Sequence, residues 1–262
     1  MIQPGLVSVT FRSLSPRQVV TLAAKSGLIG VEWGGDVHVP PGDRDNATEV
    51  RRMTEDAGLR VAGYASYYRA GQGSIAQPPF ARVLDTAVAL GAPMVRVWAG
   101  TNGSAAVASE ASARVVADLR RIAALAAEQG VRVATEFHSD TLTDSAESAA
   151  ALMTAVAHPN LATHWQAPHG ESIERASASL CTVLPWLAYL HVFHWWPGLT
   201  DRRPLVEGTD RWPKFLALAN TDGSERFALL EFVLGDAPDQ LGRDSHTLRA
   251  WLDKLGQSQI AT

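Results

Sequence analysis

The sequence predicts an α/β protein, a closed (β/α)8 TIM barrel formed as a single domain over residues 1–262. Three observations predict it. Short apolar runs alternate with longer helical patterns eight times in 262 residues, the length and rhythm of such a barrel. The helical stretches carry recognisable start and stop residues, and no stretch of biased composition divides the chain. A doubly wound open sheet shares the alternation. However, no G-x-G-x-x-G follows the first strand and no phosphate-loop motif occurs, which counts against a nucleotide-binding sheet.

The elements are expected in the following order. A first strand at Leu6–Phe11 precedes Ser15-Pro16-Arg17-Gln18, where a capping serine, a proline at the first helical position and a glutamine at the third open a helix. Gly27 stands where its left-handed stop belongs. The second strand, Ile29–Trp33, is followed by Asn46 with Glu49 as the next capping pair and Gly58 as the stop. The third strand, Arg60–Tyr64, leads to a helix ending at Gly91, and the fourth is Met94–Trp98. Thr101–Ser109, rich in Gly, Ala and Ser, reads as a loop into a long helix through Gln129, stopped at Gly130. Val131–Phe137 is the fifth strand, and Asp144 with Glu147 starts the next helix. Leu161–Gln166, Tyr189–Phe193 and Phe227–Val233 complete the eight.

Hydrophobic residues make up 46% of the chain, enough for a sizeable core, while charged residues make up 19% with a net charge of −4. Basic residues are scattered, so no concentrated basic face invites nucleic acid. No apolar run is long enough for a membrane helix, and MIQPGLVSVTFR does not read as a secretory leader, so the expected location is cytoplasmic. Cys181 is the only cysteine; within ASLCTVLPW it reads as a buried structural thiol, and a thiolate zinc cluster is excluded.

Sites on this fold gather at the C-terminal strand ends, and the polar residues of this chain concentrate there. Glu32, Asp36 and His38 follow one another at the end of the second strand. Glu136, Gln166, His191 and Glu231 sit near the ends of the last four strands and can converge over the barrel mouth. Glu136 and Glu231 lie within apolar sequence, VATEFH and FALLEFV, where burial is costly unless the carboxylate is paired or binds a cation. Two carboxylates, an imidazole and an amide oxygen suit a divalent ion, with Mn²⁺ the first choice and Co²⁺, Mg²⁺ or Zn²⁺ as chemical alternatives. Arg96 inside a strand calls for an anionic partner, Glu32, Glu136 or a substrate oxygen. Trp33, Tyr67, Trp98, Trp165 and Trp195 lie near strand ends and would suit either a core cap or a sugar-binding wall.

GVEWGGDVH, VRVWAG, TEFH, WQAPH, HVFH and LLEF together resemble the xylose isomerase-like TIM-barrel family of sugar or sugar-phosphate isomerases and epimerases, over nearly the whole chain. The resemblance implies one divalent cation held by Glu136, Gln166, His191 and Glu231, with Gln166 where the family's epimerases carry aspartate. His164, two residues before Gln166, and His194 are the rival ligands. It implies Glu136 and Glu231 as the two catalytic bases, moving a proton beside a carbonyl through a cis-enediolate. It implies substrate contacts by His169 and by an arginine beyond the seventh strand, Arg203 with Arg202 the alternative, and His38, Tyr67, Arg96, Trp98 and His138 are expected beside them from their places at the strand ends. A metal-dependent lyase or dehydratase uses the same equipment, and a non-catalytic sugar-binding barrel is a further alternative. The expected partner is a small sugar rather than nucleic acid or a membrane, and homo-oligomers are common in the resembled family.

Overall fold

A computed structural model describes residues 1–73, 77–198 and 200–260. Eight parallel strands close into a barrel in the order β1 (Ile2–Val7), β10 (Arg226–Leu230), β7 (Leu187–Val192), β6 (Leu161–Gln166), β5 (Arg132–Thr135), β4 (Met94–Trp98), β3 (Arg60–Arg69) and β2 (Gly30–Gly34). The two remaining strands, β8 (His194–Trp195) and β9 (Arg202–Arg203), form a small antiparallel ribbon beyond β7. The helices are α1 (Pro16–Lys25), α2 (Arg44–Asp56), α3 (Phe80–Leu90), α4 (Ser109–Glu128), α5 (Ala146–Val156), α6 (Ile173–Val183), α7 (Trp212–Ala219) and α8 (Pro238–Ile260).

Closure joins the two ends of the sequence. Gly5 of β1 faces Gly30 of β2 on one side and Leu229 of β10 on the other. A Cβ on Gly5 would lie 2.5 Å from a Leu229 methyl and 2.8 Å from the Gly30 carbonyl oxygen, and one on Gly30 would lie 2.8 Å from the Phe227 ring. The two glycines therefore leave space for Phe227 and Leu229 to fill the barrel. Ala62, Ala134, Ala162, Ala188 and Tyr189 pack with Leu229 in the same inner cluster. The larger apolar cluster lies between sheet and helices, with Trp33, Trp165, Trp212, Phe80 and Phe215 fully buried.

The local signals act largely as expected. Ser15 accepts from the Gln18 N–H while the Gln18 side chain accepts from the Ser15 N–H, a complete capping box. Gly27, Gly58, Gly91 and Gly130 all take positive φ at helix ends. Three expectations are corrected. The first strand runs over Ile2–Val7, because Ser8–Phe11 turns into a short 3-10 helix whose Ser8 hydroxyl accepts from the Gly34 N–H at 2.8 Å. The caps of α2 and α5 are Asp43 and Ser145, not Asn46 and Asp144. Cys181 is exposed: on α6 the stripe of Ala176, Leu180 and Val183 faces the core, and Cys181 follows Leu180 off that stripe.

Candidate active site

The residues that end the strands meet in one charged cluster. Glu136 lies just past β5, its N–H bonded to the Val97 carbonyl at 2.9 Å and its own carbonyl accepting from the Thr143 hydroxyl. Glu231 lies just past β10, with its N–H on the Val192 carbonyl at 3.0 Å. Both carboxylates are therefore carried by backbone that is fixed to neighbouring strands. Arg96 reaches across the barrel, pairing with Glu136 and lying 3.3 Å from Glu32 through Nε. Glu32 also accepts from the Tyr189 hydroxyl at 2.8 Å and from His191 Nε2 at 2.9 Å. On the far side of the ring, His191 Nδ1 lies 3.2 Å from Glu231 Oε2 but off the axis that a hydrogen bond requires. Gln166 is the neighbour of His191 across the β6–β7 ladder.

Arg96, Glu32, Glu136, His191 and Glu231 are all buried. Burial opposes the charge on Glu32, yet Arg96 and then His191 overcome it and hold the carboxyl down at about 2. Burial likewise opposes an imidazolium at His191, but Glu231 and Glu32 overcome it and raise the group to about 9. With His191 protonated, three buried carboxylates face one guanidinium and one imidazolium, an excess of one negative charge. Such an excess is costly in a low-dielectric interior unless a cation shares the site. The donor set fits a divalent ion. His191 gives its Nε2–H to Glu32, and a cation that displaced the second proton would meet the Nδ1 lone pair beside an oxygen of Glu231, as in metal-ligating histidines. Among the described residues, no three His, Cys, Asp or Glu donors close a compact metal cluster as placed.

The rim is aromatic and carries unsatisfied donors. On one side Trp98 stacks on His138 at 4.6 Å and lies 6.2 Å from Tyr67. A register shift in β3 between Ala65 and Tyr68 sets Tyr67 outside the ladder at φ 56°, over the Arg96 guanidinium at 5.5 Å. On the other side His169 stacks on Trp195 at 5.0 Å and on Phe193 at 5.6 Å, with Phe232 beside them. The ring nitrogens Trp98 Nε1, Trp195 Nε1 and His169 Nδ1 are buried without a hydrogen-bond partner among the described residues. Burial, with His138 nearby, pushes the His169 imidazole down. His138 gives its Nδ1–H to the Ser139 carbonyl at 2.7 Å, which leaves the lone pair on Nε2.

Of the residues expected around substrate, Tyr67, Arg96, Trp98, His138 and His169 line or underlie this mouth. His38 is buried with both ring nitrogens engaged, by the Ser8 hydroxyl at 2.9 Å and the Leu14 carbonyl at 3.1 Å, so it braces the β1 turn. Arg203 is exposed, its Nε donating to the Trp196 carbonyl. It is the alternative, Arg202, that lies over Trp195 and Phe232 and pairs with Asp236 at 2.6 Å. His194 belongs to the ribbon, opposite Arg203. His164 is buried between Tyr189 and His191, stacked at 5.3 and 4.2 Å. Trp33 and Trp165 are core residues rather than walls. Arg96 meets both Glu32 and Glu136, the carboxylate partners expected of it, whereas sequence reasoning missed that Glu32 also holds His191 and Tyr189; the available signal was a glutamate inside the apolar run GVEWG.

Residues 20–254 match the sequence profile described as xylose isomerase-like TIM barrel. A curated 3-dehydroshikimate dehydratase of Bacillus anthracis is 29% identical over 174 residues, which span 59% of this chain and 61% of that protein. Among solved structures, the probable 3-DHS dehydratase AsbF of Bacillus anthracis, involved in petrobactin synthesis, superposes with a TM-score of 0.78 at 21% identity, covering 95% of this chain and 99% of that one. An L-ribulose 3-epimerase superposes with a TM-score of 0.75 at 14% identity, covering 100% and 98% of the two chains. At these identities the structural likeness is one of fold. No described helix is long and apolar enough to cross a membrane.

Proposed function

The chain belongs to the xylose isomerase-like TIM-barrel family, among whose members are isomerases, epimerases and dehydratases, and on that premise we propose that it is a divalent-metal-dependent dehydratase of a hydroxylated cyclic keto acid such as 3-dehydroshikimate. The observation that carries this reading is the charged cluster itself. One uncompensated negative charge, with an imidazole Nδ1 facing a carboxylate oxygen, is what a divalent cation would balance on displacing the Nδ1 proton. Glu136, Gln166, His191 and Glu231 would hold the ion, and Mn²⁺ suits this oxygen-rich set. When bound, such an ion polarises a carbonyl oxygen and so acidifies the adjacent C–H bond.

The chain's own residues would supply the rest. His138, its tautomer set by the Ser139 carbonyl and its ring stacked on Trp98, offers Nε2 as the base. It takes the proton from the carbon beside the carbonyl. The electrons of that C–H bond form the new double bond as the β-carbon loses its hydroxyl, and His138 passes the proton to the departing group, which leaves as water. With 3-dehydroshikimate, the resulting dienone loses a ring proton and gains one on the carbonyl oxygen, giving 3,4-dihydroxybenzoate. The net change is the loss of one water. Arg96, clamped between Glu32 and Glu136, would hold both carboxylates in position throughout.

The similarity to the 3-dehydroshikimate dehydratase favours elimination over the isomerase or epimerase expected first. Epimerisation through a cis-enediolate stands as the second reading, favoured by the placement of two glutamates, Glu136 and Glu231, at the ends of β5 and β10. Incubation with 3-dehydroshikimate and Mn²⁺ separates the two. The dehydratase reading expects 3,4-dihydroxybenzoate to accumulate and its formation to stop on chelation. Unchanged substrate, in the presence of metal-loaded protein, would overturn it.

A further inference from the structure

We propose that Arg69 is the anchor for the substrate's carboxylate, a specificity-determining residue on the β3–β4 side of the mouth; the inference rests on the ring-acid reading above. The other arginines near the mouth are already engaged. Arg12 pairs with Asp36 and donates to the Tyr67 hydroxyl at 3.0 Å. Arg96 is held by Glu32 and Glu136, Arg202 by Asp236, and Arg203 donates to the Trp196 carbonyl. Arg69 is exposed and has no carboxylate partner among the described residues.

Its position is nevertheless fixed. Arg69 ends β3, and its backbone is clamped by the Gln77 amide, which accepts from the Arg69 N–H at 2.7 Å and donates to the Arg69 carbonyl at 2.8 Å. Its register partner is Trp98 of β4, and the guanidinium lies 5.0 Å from the Trp98 ring centroid. Stacking on an aromatic face holds a guanidinium flat while leaving its edge N–H groups free for a carboxylate. Trp98 Nε1 is a buried donor without a partner among the described residues. An unpaired guanidinium over the Trp98 ring and the partnerless Nε1–H of that ring are two donors on one residue pair beside the stack of Trp98 and His138. A carboxylate held by Arg69 beside Trp98 would keep its ring near His138, which stacks on the same indole, and a neutral ketose would gain no charge pairing there.

Binding of 3,4-dihydroxybenzoate and of its methyl ester, which share the ring and its hydroxyls but replace the charged carboxylate by a neutral ester, tests this by quenching of tryptophan fluorescence. The wild-type protein should prefer the acid, and Arg69→Gln should weaken the acid roughly 10- to 100-fold while leaving the ester unchanged. Arg69→Lys should restore part of the loss, since it keeps the charge without the fork. Equal affinity for acid and ester in the wild type, or an equal loss of both in Arg69→Gln, overturns the anchor alone. Failure of the wild type to bind either ring overturns the ring-acid reading together with the anchor.

Discussion

Gln166 sits beside His191 across the β6–β7 ladder, at the position where the resembled epimerases carry an aspartate. A neutral amide leaves the cluster with Glu136 and Glu231 as the charged members of the proposed ligand set, so the ion would keep more of its charge for the substrate. Ligand charge is a main control on the affinity of oxygen-rich cation sites. Gln166→Asp should therefore tighten Mn²⁺ binding by about tenfold or more, as read by titration of the protein with the ion; an unchanged affinity would remove Gln166 from the ligand set. At this scale the sequence was informative where a polar residue interrupts an apolar strand end, as at Glu136, Gln166, His191 and Glu231. It was silent where a role depends on contacts across the barrel. Tyr189 and His191 meet Glu32 from 157 and 159 residues away, and no local pattern announces that. The choice between Arg202 and Arg203 had the same difficulty, because the ribbon register decides which of them covers Trp195.

Strands and helices were legible to different degrees for physical reasons. The capping box at Ser15 and the four glycine stops are local motifs, and they stand where the sequence put them. The first strand was misplaced because Pro4 and Gly5 look like turn residues while Val7–Phe11 looks extended. In the barrel Gly5 is required by close approach, and the Ser8 hydroxyl bond to Gly34 ends the strand early. Gly5→Ala tests that reading. Its methyl would meet the Gly30 carbonyl oxygen at 2.8 Å, a backbone atom that cannot swing away. The substitution should cost about 1–3 kcal/mol or more, seen as a lower urea midpoint. Unaltered stability would mean that β1 and β2 can move apart at Gly5 without cost.

The whole molecule carries a pH signature set by its buried histidines. His38, His164, His169 and His194 all have their pKa lowered, primarily by burial, so the folded chain binds fewer protons at these sites than the unfolded chain. Their neutral forms favour folding above the ordinary histidine value, and stability falls as pH drops through and below it. His191 works in the opposite sense in the metal-free protein: its contribution is complete below its unfolded value and is lost as pH rises through about 9. Stability of the metal-free protein should peak between these limits, and urea midpoints measured across the range check it; a midpoint that rises steadily towards pH 5 contradicts it. The barrel rhythm was readable end to end because eight strand–helix units repeat a local pattern, whereas the reaction depends on groups that only closure brings together. The dehydratase claim is tested most directly by turnover of 3-dehydroshikimate in deuterated water by the Mn²⁺-loaded protein, followed by mass spectrometry. The account predicts a product lighter by one water; recovery of uneliminated substrate carrying solvent deuterium at carbon would contradict it and point to epimerisation.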